Sequence, residues 1–152
     1  MPYSVIRFAV IPALFLPLGK TAAVNILLTS ILAELFTNLH SFLVIVPNHA
    51  GEDLMRYDSP PGSRPEFYWR QAMASVNYTS PGPWSDFLQG GLNFQIEHHL
   101  WPDLPLAKYR EYAPRVKEVC ERHGVPYREQ PLPVRVKMLA DVVLGRTQLQ
   151  TP

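Results

Sequence analysis

The stretch Ala22 to Val46, AAVNILLTSILAELFTNLHSFLVIV, constrains the fold more than any other part of the chain. It has the length of about 20–25 residues that a helix needs to cross the hydrocarbon core, and Pro47 marks its end. Asn25, Glu34, Asn38 and His40 interrupt it. Polar groups are costly in lipid, so these four are expected to face protein or a polar cavity, with His40 taking a helix-packing or channel hydrogen bond. Before it, Phe8 to Leu18 is a shorter apolar run containing Pro12 and Pro17, read as a second span cut short at its start, with Leu18-Gly19-Lys20 as the turn between them. A secretory signal peptide is the competing reading of the first twenty residues. The second long apolar segment and the lack of a small-residue cleavage site weigh against it.

Charge is distributed accordingly. Residues 1–47 hold only Arg7, Lys20 and Glu34, and the other 24 of the 27 charged side chains follow. That asymmetry predicts a membrane-embedded front and a water-facing back. From Trp101 onward nine Lys or Arg face six Asp or Glu, which by the positive-inside tendency puts the carboxy-terminal region in the cytosol. The formal charge of +1 gives no reason to expect nucleic acid as a partner. The single cysteine, Cys120, cannot close an internal disulfide.

Residues 47–67 read as a Pro, Gly and Asp rich loop, and Phe67 to Val76 as a short amphipathic helix whose Tyr68 and Trp69 suit a membrane interface. Asn77 to Pro83 reads as a turn and Trp84 to Leu100 as one helix starting near Ser85 or Asp86. Leu106 to Arg122 is helical in pattern, with a break expected near Pro114 and Gly124 placed to end it, His123 serving as its cap. Val134 to Leu144 reads as a surface helix whose Arg135 and Lys137 beside an apolar face also allow a membrane-surface role.

The chemistry is concentrated in NFQIEHHLWPDLP, Asn93 to Pro105. On a helix, Gln95, His98 and His99 fall at i, i+3 and i+4 on one face, presenting three metal-facing groups together. Glu97 points to the other side and is placed for an outer-sphere partner or a surface contact. Imidazole suits iron, zinc, copper or nickel, so the histidines alone do not name a metal, and paired histidines also occur as ordinary hydrogen-bonded residues.

The longer stretch GGLNFQIEHHLWPDLP resembles the third histidine box of membrane fatty acid desaturases, specifically the front-end type with glutamine in place of the first histidine. The likeness continues through YAPRVKEVCERHGVPYREQPL and covers most of residues 67–132. The resemblance implies a di-iron enzyme that uses O2 and two electrons to remove two hydrogens from an acyl chain. It makes His98 and His99 iron ligands and Gln95 a ligand or outer partner. Asn48-His49 matches a similar pair in the family, implying His49 as a further ligand and Asn48 as a water-mediated one, against the plainer reading of a polar loop histidine. The expected architecture is all-α: a transmembrane hairpin over 1–47 and a cytosolic helical region over 48–152, together part of a four-span fold.

One departure matters. The family's two earlier boxes, HxxxH and HxxHH, are absent, because His40 is the only histidine before His49. The chain therefore reads as the carboxy-terminal part of a desaturase, inactive alone, from a truncated gene model, a split gene or a pseudogene. Implied partners are an acyl chain on coenzyme A or a glycerolipid, membrane lipid, and an electron donor of cytochrome b5 or ferredoxin type. A related di-iron hydroxylase or ketolase is one alternative. A non-catalytic membrane protein using its cytosolic region as an interaction surface is the other.

Overall fold

The computed structural model describes residues 2–152, which divide into two compact units, one ending at Ser41 and one running from Phe42 to Pro152. In the first unit the chain is helical almost throughout: α1 (Pro2–Val5), a π-helical stretch (Ile6–Val10), α2 (Ile11–Leu14) and a 3-10 turn (Leu16–Leu18) precede α3 (Lys20–Ile45). The π-helical stretch has a local cause. Pro12 has no N–H to give the preceding turn, and the Ile11 N–H reaches back five residues to the Ile6 carbonyl instead. The chain turns at Gly19, and the Tyr3 hydroxyl donates to Glu34 Oε2 at 2.8 Å, which gives the intrahelical carboxylate a partner. The stretch Lys20–Asn48 is long and apolar enough to cross a membrane. Pro2–Leu18 is a shorter apolar helix.

The second unit takes in the last turn of α3, then α4 (Arg64–Met73), β1 (Asn77–Tyr78), α5 (Pro83–Leu88), α6 (Gln95–Leu100), α7 (Leu106–Arg122), β2 (Glu129–Gln130) and α8 (Leu132–Val143). Its core forms where α4, α6 and α7 meet: Ala72, Ile96, Val116 and Cys120 are buried, with Leu100, Val125 and Tyr127 packed against them. The two short strands pair in parallel, Asn77 opposite Glu129 and Tyr78 opposite Gln130. Near the carboxy terminus the chain comes back to the loop before α4, where Gln150 exchanges backbone hydrogen bonds with Leu54 and Arg56.

Several sequence expectations change here. α4 starts at Arg64, earlier than Phe67, because Ser63 caps it by accepting from the Glu66 N–H while Glu66 reaches back to the Gly62 N–H. Residues 77–78 are a strand, since their partner at 129–130 is far away in sequence and invisible to local pattern. The helix expected over 84–100 is two helices. Gly90 and Gly91 take positive φ between them, and a Cβ on Gly91 would stand 3.0 Å from Leu106 Cβ, so the turn and the approach of α7 both call for glycine. α5 is capped at Gly82 and begins at Pro83, before either Ser85 or Asp86. In contrast, α7 does not break at Pro114, which lies exposed inside a continuous helix, where the carbonyl its missing N–H leaves unpaired can turn to water. It ends as expected, with His123 at the C-cap and Gly124 at positive φ.

α5 is tied to the rest by Asp86, which accepts from Ser80 and Asn93 and is paired with Arg110 of α7. Burial opposes ionisation of this carboxyl, but the hydrogen bonds from Arg110, Ser80 and Asn93 outweigh it and hold its pKa below the usual value. A lowered carboxylate pKa adds stability that is present above the unfolded value near 3.8 and is lost as pH falls through the folded one. Asp86→Asn is therefore expected to lower stability at pH 7 and to flatten its loss below pH ~4. Unfolding followed by circular dichroism across pH checks this, and an unchanged acid limb would count against it.

Candidate metal centre

The site is assembled from two places in the second unit. After α3 the chain makes a 3-10 turn, Val46–Asn48, closed by the His49 N–H on the Val46 carbonyl at 3.0 Å. Asn48 is fully buried. Its amide Nδ2 donates to Val44 O (3.1 Å), Leu92 O (3.0 Å) and Gln95 Oε1 (3.4 Å), so one side chain joins the end of the apolar helix to the start of α6. α6 then presents its face as the i, i+3, i+4 spacing predicts. Gln95 Nε2 lies 3.0 Å from His99 Nε2, and the half-buried His99 ring stands edge-on to His49 with centroids 5.0 Å apart. The His98 and His99 centroids are 5.8 Å apart, and His98 Nδ1 is 3.2 Å from the Tyr109 hydroxyl.

Asn48, His49, Gln95, His98 and His99 thus come together. His123 instead lies at the end of α7, and His40 is exposed on α3 in the other unit. Burial pushes the His99 pKa down to about 4, with the imidazoles of His49 and His98 adding to the effect. Burial also lowers His49, partly offset by the Ala74 carbonyl. Both rings are accordingly neutral at pH 7, the form in which imidazole binds a metal.

Glu97 points away from this group, but not to the surface: it is fully buried. The Asn77 amide donates to Oε2 at 2.7 Å and the Tyr127 hydroxyl to Oε1 at 2.8 Å. Asn77 Oδ1 also accepts the Ile96 N–H at 2.8 Å, so Asn77 holds α6 by backbone and side chain together. Burial raises the Glu97 pKa, opposed by those two hydrogen bonds. Asn77, Tyr109 and Tyr127 are the residues sequence reasoning missed. Tyr127 lies within the stretch VPYREQ that carries the family resemblance, but nothing local ties it to Glu97.

Whether these side chains fit a metal can be judged from their donors. The Asn48 Oδ1 atom is buried without a hydrogen-bond partner, and the imidazoles of His49 and His99 are neutral. That combination fits one wall of a site for a nitrogen- and oxygen-ligated metal such as iron. Among the described residues, however, no group of three or more His, Cys, Asp or Glu is close enough to hold a metal by itself. The set fits a share of a centre and not a closed one.

An apolar cavity of about 960 Å³ lies beside the far end of α6, between α4 and α7, lined by Tyr68, Trp69, Leu100, Trp101, Val116 and Val119 among others. Tyr68 and Trp69, read from sequence as membrane-interface residues, help form its wall.

The sequence profile of the fatty acid desaturase family matches residues 2–131. The chain belongs to the fatty acid desaturase family. It is 36% identical over 104 residues to an NADPH-dependent stearoyl-CoA 9-desaturase of Mycobacterium tuberculosis, a match covering 66% of this chain and 24% of the relative. Over 61 residues it is 41% identical to the acyl-lipid (9-3)-desaturase of Borago officinalis, covering 40% of this chain and 13% of that one. Fatty acid desaturase 3 of Bos taurus is 39% identical over 71 residues, or 47% of this chain and 15% of the relative. The matched stretch spans about a quarter or less of each of these proteins. No solved structure matches the chain.

Proposed function

We propose that this chain supplies the third-histidine-box portion of a front-end-type, O2-dependent fatty acid desaturase. The observation that carries the reading is the convergence of His49 and Asn48 from one end of the unit with Gln95, His98 and His99 from α6. A di-iron centre held there would supply the oxidant that, with O2 and two electrons, takes two hydrogens from an unactivated acyl chain.

The chain's own groups have separable tasks. His49, His98 and His99 are the ligands, and the unpartnered Asn48 Oδ1 is a further oxygen donor. The Tyr109 hydroxyl at His98 Nδ1 leaves Nε2 of that ring free to bind, and Gln95, whose amide nitrogen lies 3.0 Å from His99 Nε2, yields that contact when His99 binds through the same nitrogen. Glu97, clamped by Asn77 and Tyr127, fixes the rotation of α6 so that the histidines face His49. The apolar cavity beside Leu100 and Trp101 has the lining an acyl chain needs, whether that chain is carried on coenzyme A or on a glycerolipid. Residues 1–47 form a transmembrane hairpin, the region after it is cytosolic, and a cytochrome b5 or ferredoxin type protein delivers the electrons.

Five histidines, of which three meet here, are too few for a di-iron centre. The remaining ligands are therefore expected from HxxxH and HxxHH boxes encoded upstream. Reading the DNA upstream of Met1 tests this: both boxes in frame are expected, and the joined frame should introduce new double bonds into the lipids of cells expressing it. A frame without either box would sink the catalytic reading, and hydroxylated products would redirect it to a hydroxylase.

A further inference from the structure

The basic residue that sequence reasoning put on a surface helix is the largest fully buried side chain among the described residues. Arg135 on α8 is 0% exposed, and a guanidinium stays out of water only where its donors are met. They are met largely by one short segment. Nε donates to Pro47 O at 3.2 Å, Nη2 to Ala50 O at 2.9 Å and Nη1 to Asp53 Oδ1 at 2.7 Å, with Gln130 Oε1 also accepting from Nη1 at 3.0 Å. The two backbone carbonyls bracket Asn48 and His49. Gly51 passes so close that a Cβ there would stand 2.6 Å from Nη2, so the loop is moulded around the guanidinium. α8 also packs on the Val46–Asn48 turn, yet lies past residue 131, where the family match ends.

We infer that Arg135 is a positioning residue for His49. Its fork holds the carbonyls on either side of Asn48-His49 at once, and this sets the His49 ring edge-on to His99. A single ammonium could neutralise Asp53 but lacks the planar fork that meets Pro47 O from Nε and Ala50 O from Nη2. Docking of α8 needs no cation at this position, because Leu139 on the same helix is already buried. The functional weight of the inference rests on the proposal that His49 faces the metal, whereas the positioning itself does not.

The test uses the full chain in lipid nanodiscs with isotope-labelled histidine and reads the nuclear Overhauser contact between the His49 and His99 rings. Arg135→Met and Arg135→Lys are each expected to lose that contact and shift the His49 ring signals. The His98 signals beside Tyr109 should stay in place and far-ultraviolet circular dichroism should remain helical. Arg135→Lys is the sharper variant, since it keeps the buried charge. If it folds and retains the His49–His99 contact, charge alone suffices and the inference is overturned. If both variants unfold, Arg135 is a determinant of the fold as a whole and the specific role is equally overturned. No metal enters this readout, so a His49 that binds none would defeat the proposed function while leaving the positioning result standing.

Discussion

Replacing Glu97 with alanine is expected to destabilise the unit from Phe42 to Pro152 by about 2–5 kcal/mol. The carboxylate is fully buried and is the acceptor for both the Asn77 amide and the Tyr127 hydroxyl. Its removal leaves two buried donors with less to bind, at about 1–3 kcal/mol each, and a cavity besides. Tyr127→Phe removes one donor and should cost less, about 0.5–2 kcal/mol, because one carboxylate oxygen still has Asn77. Chemical unfolding of nanodisc-held chain, followed by hydrogen exchange of the α6 amides, measures both. A Glu97→Ala cost below that of Tyr127→Phe would show that the carboxylate is not what holds α6.

The second large effect is on chemistry. If the upstream frame carries both boxes, as proposed, His98→Ala and His99→Ala in it should each reduce new double bonds by more than about 100-fold, beyond the 10–100-fold typical of losing an outer partner of a metal ligand. Tyr109→Phe, which removes only the hydroxyl beside His98 Nδ1, should fall within that smaller range. Fatty acid analysis of the expressing cells gives both numbers. Comparable losses for Tyr109→Phe and His98→Ala would mean that His98 acts through its partner and not as a ligand.

What the sequence made legible was whatever depends on near neighbours. The apolar run ending at Pro47 became α3, and the i, i+3, i+4 spacing put Gln95, His98 and His99 on one face of α6. Elements that depend on distant partners were not legible. Trp84 to Leu100 keeps a helix-like apolar pattern across Gly90-Gly91, so nothing local shows that α7 comes against Gly91. Arg135 reads as a surface cation because its acceptors lie as far as 88 residues away. Glu97 has the same history: the helix period turned it away from the histidines correctly, but only Tyr127, 30 residues on, and Asn77 decide that it goes inward and not to water. Of the site, then, the ligand candidates could be read and their supports could not.

Cobalt(II), a paramagnetic probe with a preference for imidazole nitrogen, tests the central claim on the chain as it stands. Added in excess to the nanodisc-held protein at pH 7, it should broaden the ring signals of His49, His98 and His99 together, and leave His40 and His123 sharp. Broadening centred on His40 or His123, or all three site rings left sharp at saturating cobalt, would contradict a shared metal-facing cluster.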